Sequence, residues 1–195
     1  MPVAAVTTDE IYERYLQKAI TEINRLSHEI AQAAEGAPVA LPTGHPLANI
    51  FLLKFGPQAQ ELQEGVAFHG RAGNALIKSL QRLHVDPLEV YGTNCVKFAG
   101  CDVETSRKWL GRELRIVEPK LLVVMGEDAL EFVNAFEFPF ARPLDDTPEL
   151  QRFTPTIEAL VVPDIDSALD EQAAKTAFWN AFKTVGTWFA ALPPY

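Results

Sequence analysis

The sequence predicts an α/β fold in which helices cover both faces of a short, mainly parallel, four-stranded sheet. Apolar runs of strand length, at residues 49–54 and 121–125 among others, alternate with amphipathic stretches of helical length. A turn-forming break follows the first run, at residues 55–58. Strands that alternate with helices build a parallel sheet, and ligands bind at the carboxyl ends of such strands.

The chain is expected to form a single domain, residues 1–195, with an N-terminal helix in 1–36 and an α/β core in 47–192. Thr8 is the predicted cap of the N-terminal helix, because acidic residues and an apolar stripe of helical spacing follow it. Three prolines in residues 37–48 predict a connection without regular structure.

Within the core, each element follows from its periodicity and from the residues that interrupt it. In order, the predicted elements are strand 49–54, an acidic loop at 61–65, helix 71–84, strand 90–97, a helix that ends at Pro119, strand 121–125, a helix from Glu127, an irregular segment at 135–156, strand 159–162 and a final helix from Asp166 or Ser167. This alternation predicts the three-layer α/β/α arrangement.

Composition favours a globular protein, with 48% hydrophobic and 10% aromatic residues. No apolar run approaches the roughly 18 to 20 residues of a membrane span, and the start lacks the features of a signal peptide. We therefore expect a cytoplasmic protein without a membrane partner. Two cysteines, Cys95 and Cys101, are too few for a structural zinc or iron–sulphur site, so no metal or cofactor is expected.

The net charge of −9 and the pI of about 4.9 are opposite to those of a typical tight nucleic-acid binder. Affinity for phosphate depends on where charge lies as well as on its sum, and the strand ends carry several basic residues. DNA binding is accordingly expected to be weak and sensitive to salt.

Three motifs carry a family resemblance. Residues 67–73 are Ala-Phe-His-Gly-Arg-Ala-Gly, residues 90–98 are Val-Tyr-Gly-Thr-Asn-Cys-Val-Lys-Phe, and residues 118–126 form an apolar strand that ends in glycine. These motifs resemble the uracil-DNA glycosylase superfamily, in particular its thermophile-type, iron–sulphur branch, called family four. The similarity spans residues 47–135, with a weaker continuation to 185, and it implies a glycosylase-like fold.

The same comparison shows where this chain departs from the family. The family motif Gly-Glu-Ala-Pro-Gly falls on residues 54–58, so Phe55 replaces the acidic residue that positions or activates water. The family motif that begins His-Pro-Ser falls on residues 161–167, which contain no histidine. Phe98 and Trp109 stand where two of the cluster cysteines are expected. The resemblance thus implies a degenerate active site without an iron–sulphur cluster.

The resemblance also implies candidates for binding a base. Phe68 falls on the aromatic residue that stacks on uracil, and Asn94 falls on the amide residue that recognises its edge, for which an amide supplies both a donor and an acceptor. Gly56, in residues 54–58 on which the family motif Gly-Glu-Ala-Pro-Gly falls, completes this set. A core position is equally typical of a Phe, and an Asn at a strand end is equally suited to satisfying loop backbone groups.

Candidates for contacting phosphate or DNA are Gly70, at a helix start where backbone N–H groups are free, and the basic residues Arg71, Lys54 and Lys97. Close helix packing explains the glycines of this motif equally well.

Substitutes for the missing water-activating group are the weakest candidates. Glu61 and Glu64 in the acidic loop and Asp164 near the lost histidine are the available side chains. Asp164 cannot reproduce the chemistry of histidine, because its ionised carboxylate would repel a departing base anion.

Three functions remain open from the sequence. The first is recognition of a nucleobase, or of single- or double-stranded DNA, with reduced or absent hydrolysis. The second is an active, divergent glycosylase of DNA base excision repair, which requires an acidic or histidine side chain near Asn94 in space. The third is a domain that binds a protein partner and keeps only the fold, which a pocket filled by Lys54 or Phe55 would favour.

Overall fold

A computed structural model describes residues 7–193 and contains one mixed sheet with helices on both faces. The helices are α1 (Thr8–Ala33), α2 (Ala59–Glu64), α3 (Arg71–Arg82), α4 (Val103–Val117), α5 (Glu127–Asn134), α6 (Ile165–Ala168), α7 (Gln172–Phe182) and α8 (Thr184–Ala190). The strands are β1 (Thr43–Gly44), β2 (Ile50–Lys54), β3 (Val90–Asn94), β4 (Leu121–Met125), β5 (Leu150–Arg152) and β6 (Glu158–Val162). Residues 1–6 of the predicted N-terminal segment lie outside the described residues.

The α/β fold is confirmed, but the prediction of four strands is wrong, since the sheet has six in the order β1-β3-β2-β4-β6-β5. Its four central strands are parallel, and each corresponds to a predicted strand. The added strands β1 and β5 are antiparallel edges formed in segments that were predicted to be irregular. With two and three residues, they are too short to show the period of two on which strand prediction depends.

The strand register brings four strand ends together. Asn94 pairs with Lys54, Lys54 with Met125, and Met125 with Val162. Because the four central strands run parallel, these last residues lie along one side of the sheet, which we call the carboxyl edge. Ligands of open parallel sheets bind at such edges.

Two apolar cores cover the faces of the sheet, because side chains alternate between faces along a strand. Ile50 and Leu52 face the core shared with α3, α6, α7 and α8, whereas Phe51 and Leu53 face the core shared with α4 and α5. The single final helix predicted from Asp166 or Ser167 is instead three helices, α6, α7 and α8, and Phe182 of α7 is completely buried in the core.

Helix α1 packs outside α4, where its residues Leu26 and Ile30 meet Trp109. Its cap is Thr7, one residue before the predicted Thr8, because the Thr7 hydroxyl accepts from the Glu10 backbone N–H at 3.3 Å and the Glu10 carboxylate accepts from Thr7 N–H at 2.9 Å. Among the residues that the structure describes, no helix combines the length and apolarity of a membrane span.

The predicted acidic loop is the helix α2. Gln58 precedes this helix, and its backbone N–H donates to the Glu61 carboxylate at 2.7 Å. Gly65 ends it with a φ of 75°, a conformation that glycine adopts readily. Six residues are fewer than two helical turns, so no apolar period distinguishes this helix from a loop in the sequence.

Candidate functional site

A buried ion-pair cluster fills the carboxyl edge of the sheet. Lys54, the last residue of β2, donates from Nζ to Glu61 Oε2 at 2.5 Å, to Asp166 Oδ2 at 2.7 Å and to the Gly56 carbonyl at 3.2 Å. The Lys54 and Glu61 side chains are 0% and 1% exposed, and that of Asp166 is 16% exposed. All three N–H groups of the ammonium are therefore used. We call Lys54, Glu61 and Asp166 the Lys54 cluster.

The Glu61 carboxylate is the hub of this cluster. Besides Lys54, its Oε2 atom accepts from the backbone N–H of Gln58 at 2.7 Å. Its Oε1 atom accepts from the backbone N–H of Phe68 at 2.5 Å and from Asn94 Nδ2 at 3.4 Å. Four donors thus converge on one carboxylate, which uses the full accepting capacity of its two oxygens.

Phe68 is held in a strained backbone conformation beside the Lys54 cluster. Its φ is 61°, which is uncommon for a bulky residue, and its side chain is buried. Two glycines make room for it: a Cβ on Gly92 would lie 2.8 Å from the Phe68 ring, and one on Gly73 would lie 1.9 Å from the Phe68 carbonyl oxygen. Lys54 Nζ lies over the ring, 5.6 Å from its centroid. Packing therefore accounts for Gly73.

Asn94, the last residue of β3, has a completely buried side chain with an unsatisfied atom. Its Nδ2 atom donates only the long hydrogen bond to Glu61, and its Oδ1 atom has no hydrogen-bond partner. A buried acceptor without a donor costs about 1–3 kcal/mol. The unpaired Asn94 oxygen is therefore an energetically unfavourable feature of this arrangement.

A second buried network lies behind Asn94, on the α4 face of the sheet. Lys97 Nζ donates to Glu113 Oε2 at 2.7 Å, to the Asn94 carbonyl at 2.7 Å and to the Thr93 hydroxyl. Glu113 Oε1 accepts from Thr93 Oγ1 at 2.9 Å and from the Tyr91 hydroxyl at 3.1 Å. Burial, and then the charge of Glu113, raise the pKa of Tyr91 well above its ordinary value. The network fixes the backbone on which Asn94 is carried.

Asp164 caps the helix α6. Its Oδ2 atom accepts from the Ser167 backbone N–H at 2.9 Å and from the Ser167 hydroxyl at 2.7 Å. Asp164 also packs against Gly126, where an added Cβ would lie 2.9 Å from the Asp164 Cβ. The Asp164 carboxylate is therefore used to cap α6, directly after the loop that follows β6.

An acidic cavity of about 360 Å³ opens between the ends of β2, β4 and β6. The carboxylates of Glu127, Asp128, Asp164 and Asp166 line it, together with Phe55. Burial raises the pKa of Asp166, while the hydrogen bond and charge of Lys54 oppose that rise. The opening of this cavity is therefore negatively charged, and the Lys54 ammonium that binds Asp166 is buried.

The candidates for contacting phosphate or DNA, and the acidic candidate Glu64, are either at the surface or completely buried. Gly70 caps α3, and the exposed Arg71 pairs with Asp170 at 3.0 Å on the rim. Glu64 is exposed on α2. Lys54 and Lys97 are completely buried and bound to protein acceptors, so neither ammonium is presented to a phosphate.

The structure thus groups Gly56, Glu61, Phe68 and Asn94 around Lys54, whereas Asp164 lies at the adjoining cavity. Sequence reasoning missed Asp166 and Glu113 as partners of the two buried lysines. Glu113 did carry a signal, because it stands on the apolar stripe of α4 beside Leu110 and Leu114.

The thiols do not form a metal site. Among residues 7–193, no three His, Cys, Asp or Glu side chains are grouped as ligands. Cys95 is completely buried, and burial raises the pKa of its thiol far above the ordinary range, whereas Cys101 Sγ lies 3.0 Å from the Ser106 hydroxyl. An iron–sulphur cluster held by four thiolates does not fit two cysteines. Phe98 and Trp109 pack against each other, with ring centroids 6.2 Å apart.

A comparison with protein families yields a match over most of the chain. The model of the uracil DNA glycosylase superfamily matches residues 41–184. The matched region contains all six strands, the Lys54 cluster and Asn94.

Proposed function

Since the chain belongs to the uracil-DNA glycosylase superfamily, we propose that it recognises a nucleobase, free or within DNA, in a glycosylase-like pocket and has reduced or absent hydrolytic activity. The observation that carries the proposal is the convergence of the Asn94 amide and the backbone N–H groups of Gln58 and Phe68 on the buried Glu61 carboxylate, close to the Phe68 ring at the carboxyl edge. Donors, an unsatisfied acceptor and an aromatic ring grouped around one buried position are the elements of base recognition.

The pocket groups suit a pyrimidine edge. An enzyme or binding protein holds an extruded base by stacking and by hydrogen bonds to its edge. A base stacked on Phe68 would gain about 1–3 kcal/mol. The amide of Asn94 offers a donor and an acceptor, and its buried Oδ1 atom lacks a partner. A ring that presents an N–H beside a carbonyl matches this pair of groups.

Reduced hydrolysis follows from the groups around the pocket. Hydrolysis of an N-glycosidic bond passes through a sugar with oxocarbenium character and needs a side chain that directs water towards it. Phe55, at the position of the family's acidic residue, is 42% exposed and has no proton chemistry. Asp164 holds the start of α6. Loss of one general acid or base costs about 10²- to 10⁴-fold in rate.

If the base is bound within a DNA strand, residues at the protein surface around the pocket make the contacts to that strand. The N-terminus of α3 at Gly70 and the exposed Arg71 are the candidates that remain at the surface. With four carboxylates lining the neighbouring cavity, such contacts are weak and sensitive to salt. The free thiols of Cys95 and Cys101 support a setting in the reducing cytoplasm.

Two alternatives each have one observation in their favour. An active, divergent glycosylase of base excision repair needs an acidic side chain beside Asn94, and Glu61 Oε1 lies 3.4 Å from Asn94 Nδ2. A protein-interaction domain that keeps only the fold is favoured by a filled pocket. The buried Lys54 ammonium, which is hydrogen-bonded to the Glu61 carboxylate, is the group that would fill it.

Base release and base binding, measured together, test the proposal. Single- and double-stranded oligonucleotides containing uracil, hypoxanthine or xanthine are incubated with the wild type and with Asn94→Ala at low salt. We expect no release above background. Release that vanishes in Asn94→Ala would establish the active alternative instead.

Binding is measured by fluorescence anisotropy with a labelled single strand that carries one deoxyuridine, against the same strand with thymidine. A preference for deoxyuridine that Phe68→Ala and Asn94→Ala abolish supports the proposal. The matched controls are Phe140→Ala and Asn24→Ala, which change exposed residues away from the pocket. No preference in the folded wild type, even at saturating protein, would favour the interaction domain.

A further inference from the structure

We infer that the Glu61 carboxylate is an internal occupant of the base pocket, so that a base binds only where Glu61 is displaced. The inference rests on the proposed function, since it concerns the same pocket. It assigns to the short helix α2 the role of carrying a side chain that competes with the ligand. Glu61 thereby sets the affinity of the site without contacting the ligand.

The first argument is that Glu61 uses the donors that a base would need. Its two oxygens accept from Phe68 N–H at 2.5 Å, from Gln58 N–H at 2.7 Å and from Asn94 Nδ2 at 3.4 Å. A carboxylate is planar and presents two acceptor oxygens, as does the carbonyl edge of a pyrimidine. While Glu61 holds these donors, an incoming carbonyl oxygen has none to meet.

The second argument is electrostatic. A buried carboxylate is strongly unfavourable without a positive partner. Lys54 supplies that partner at 2.5 Å, and Asp166 at 2.7 Å shares the ammonium. Lys54 Nζ also lies over the Phe68 ring, 5.6 Å from its centroid, where it covers a surface available for stacking. The ammonium therefore fixes Glu61 in the pocket and takes up space beside it.

The third argument is that the fit of Glu61 is incomplete. An ionised carboxylate accepts hydrogen bonds but cannot donate one. It satisfies Asn94 Nδ2 and leaves Asn94 Oδ1 without a partner. A neutral ring with both a carbonyl and an N–H on one edge would satisfy both atoms. The preferred ligand class is accordingly a neutral base with an imide-like edge, such as uracil, and a simple carboxylate is not expected to bind.

The test uses free uracil as the probe and compares four proteins. The double variant Lys54→Gly/Glu61→Ala removes both charges, so that no lone buried ammonium or Glu61 carboxylate remains. Glu61→Gln keeps the size of the side chain but removes its charge. Gln63→Ala, an exposed change on the same helix, is the matched control. Two quantities are measured by NMR: the affinity for uracil, and the hydrogen-exchange protection of the Phe68 and Gln58 amides without ligand.

We expect uracil to bind at least tenfold more tightly to the double variant than to the wild type or Gln63→Ala, with Glu61→Gln between them. Without ligand, the backbone amides of Phe68 and Gln58 should exchange their hydrogens faster in the double variant than in the wild type. Equal affinity in wild type and double variant would overturn the role of Glu61 and leave base recognition intact. Faster exchange without any uracil binding would uphold the contact but refute base recognition. Unchanged exchange would overturn the inference directly.

Discussion

Lys97 and Glu113 form an ion pair whose two side chains are both completely buried. Removing one partner of such a pair leaves an uncompensated charge and typically costs about 3–5 kcal/mol. We therefore expect Lys97→Met to lower the free energy of unfolding by about that amount. Urea denaturation followed by circular dichroism measures the change.

The control is the double variant Lys97→Met/Glu113→Gln, which removes both charges and keeps an acceptor for the Tyr91 and Thr93 hydroxyls. It should regain at least half of the lost stability. A double variant as unstable as the single one would show that the ammonium acts through its bond to the Asn94 carbonyl rather than through Glu113.

At the scale of single residues, the burial of Lys54 and Lys97 and the identity of their partners could not be predicted from the sequence. A lysine at the end of an apolar strand predicts a surface cation, because Lys is almost never fully buried without a partner. For Lys54, the partner Asp166 lies 112 residues away in the chain, and no local period links the two. The positions of Phe68 and Asn94 near one another were implied by the family motifs, whereas the carboxylate between them depends on how α2 folds back.

At the scale of elements, the contact between α3 and the Phe68 segment determines the shape of the pocket. A Cβ on Gly73 would lie 1.9 Å from the Phe68 carbonyl oxygen, a backbone atom that cannot move without shifting the segment. We expect Gly73→Ala to destabilise the protein by about 1–3 kcal/mol, as overpacking does. It should also perturb the NMR signals of Phe68.

Gly56→Ala is the matched control for this change, because an added Cβ there meets nothing within 4 Å. Its stability should stay within about 0.5 kcal/mol of the wild type, as for most surface substitutions. Equal losses in the two variants would indicate that Gly73 is required for reasons other than the close approach to Phe68.

The elements also separate what a sequence can predict from what it cannot. The central strands β2, β4 and β6 were predictable because each is a mainly apolar run, as in Leu121–Met125. The strand β3 ends in Gly-Thr-Asn, so its prediction depended also on the family motif at residues 90–98. The edge strand Thr43–Gly44 has two residues and exists only because β3 offers it a hydrogen-bonding partner. Pairing across the fold, rather than local pattern, produces such strands, and the same holds for Leu150–Arg152.

At the scale of the whole molecule, the net charge of −9 acts mainly where carboxylates gather. The cavity beside the Lys54 cluster is lined by four of them, including the exposed Asp128 at the start of α5. An ion contact at about 4 Å in water is worth about 1 kcal/mol, or roughly fivefold in affinity. The proposed contact with a DNA strand should therefore be limited by this local charge.

Asp128→Lys tests that view against Glu13→Lys, which makes the same charge change on the exposed part of α1. At low salt, we expect Asp128→Lys to bind a labelled single strand about fivefold more tightly than the wild type, and Glu13→Lys to bind it nearly unchanged. If Asp128→Lys gains one phosphate contact, the slope of log affinity against log salt should steepen by about 0.7. Anisotropy titrations at several salt concentrations measure both quantities. Equal gains in the two variants would mean that the strand responds to net charge alone and does not bind at the carboxyl edge.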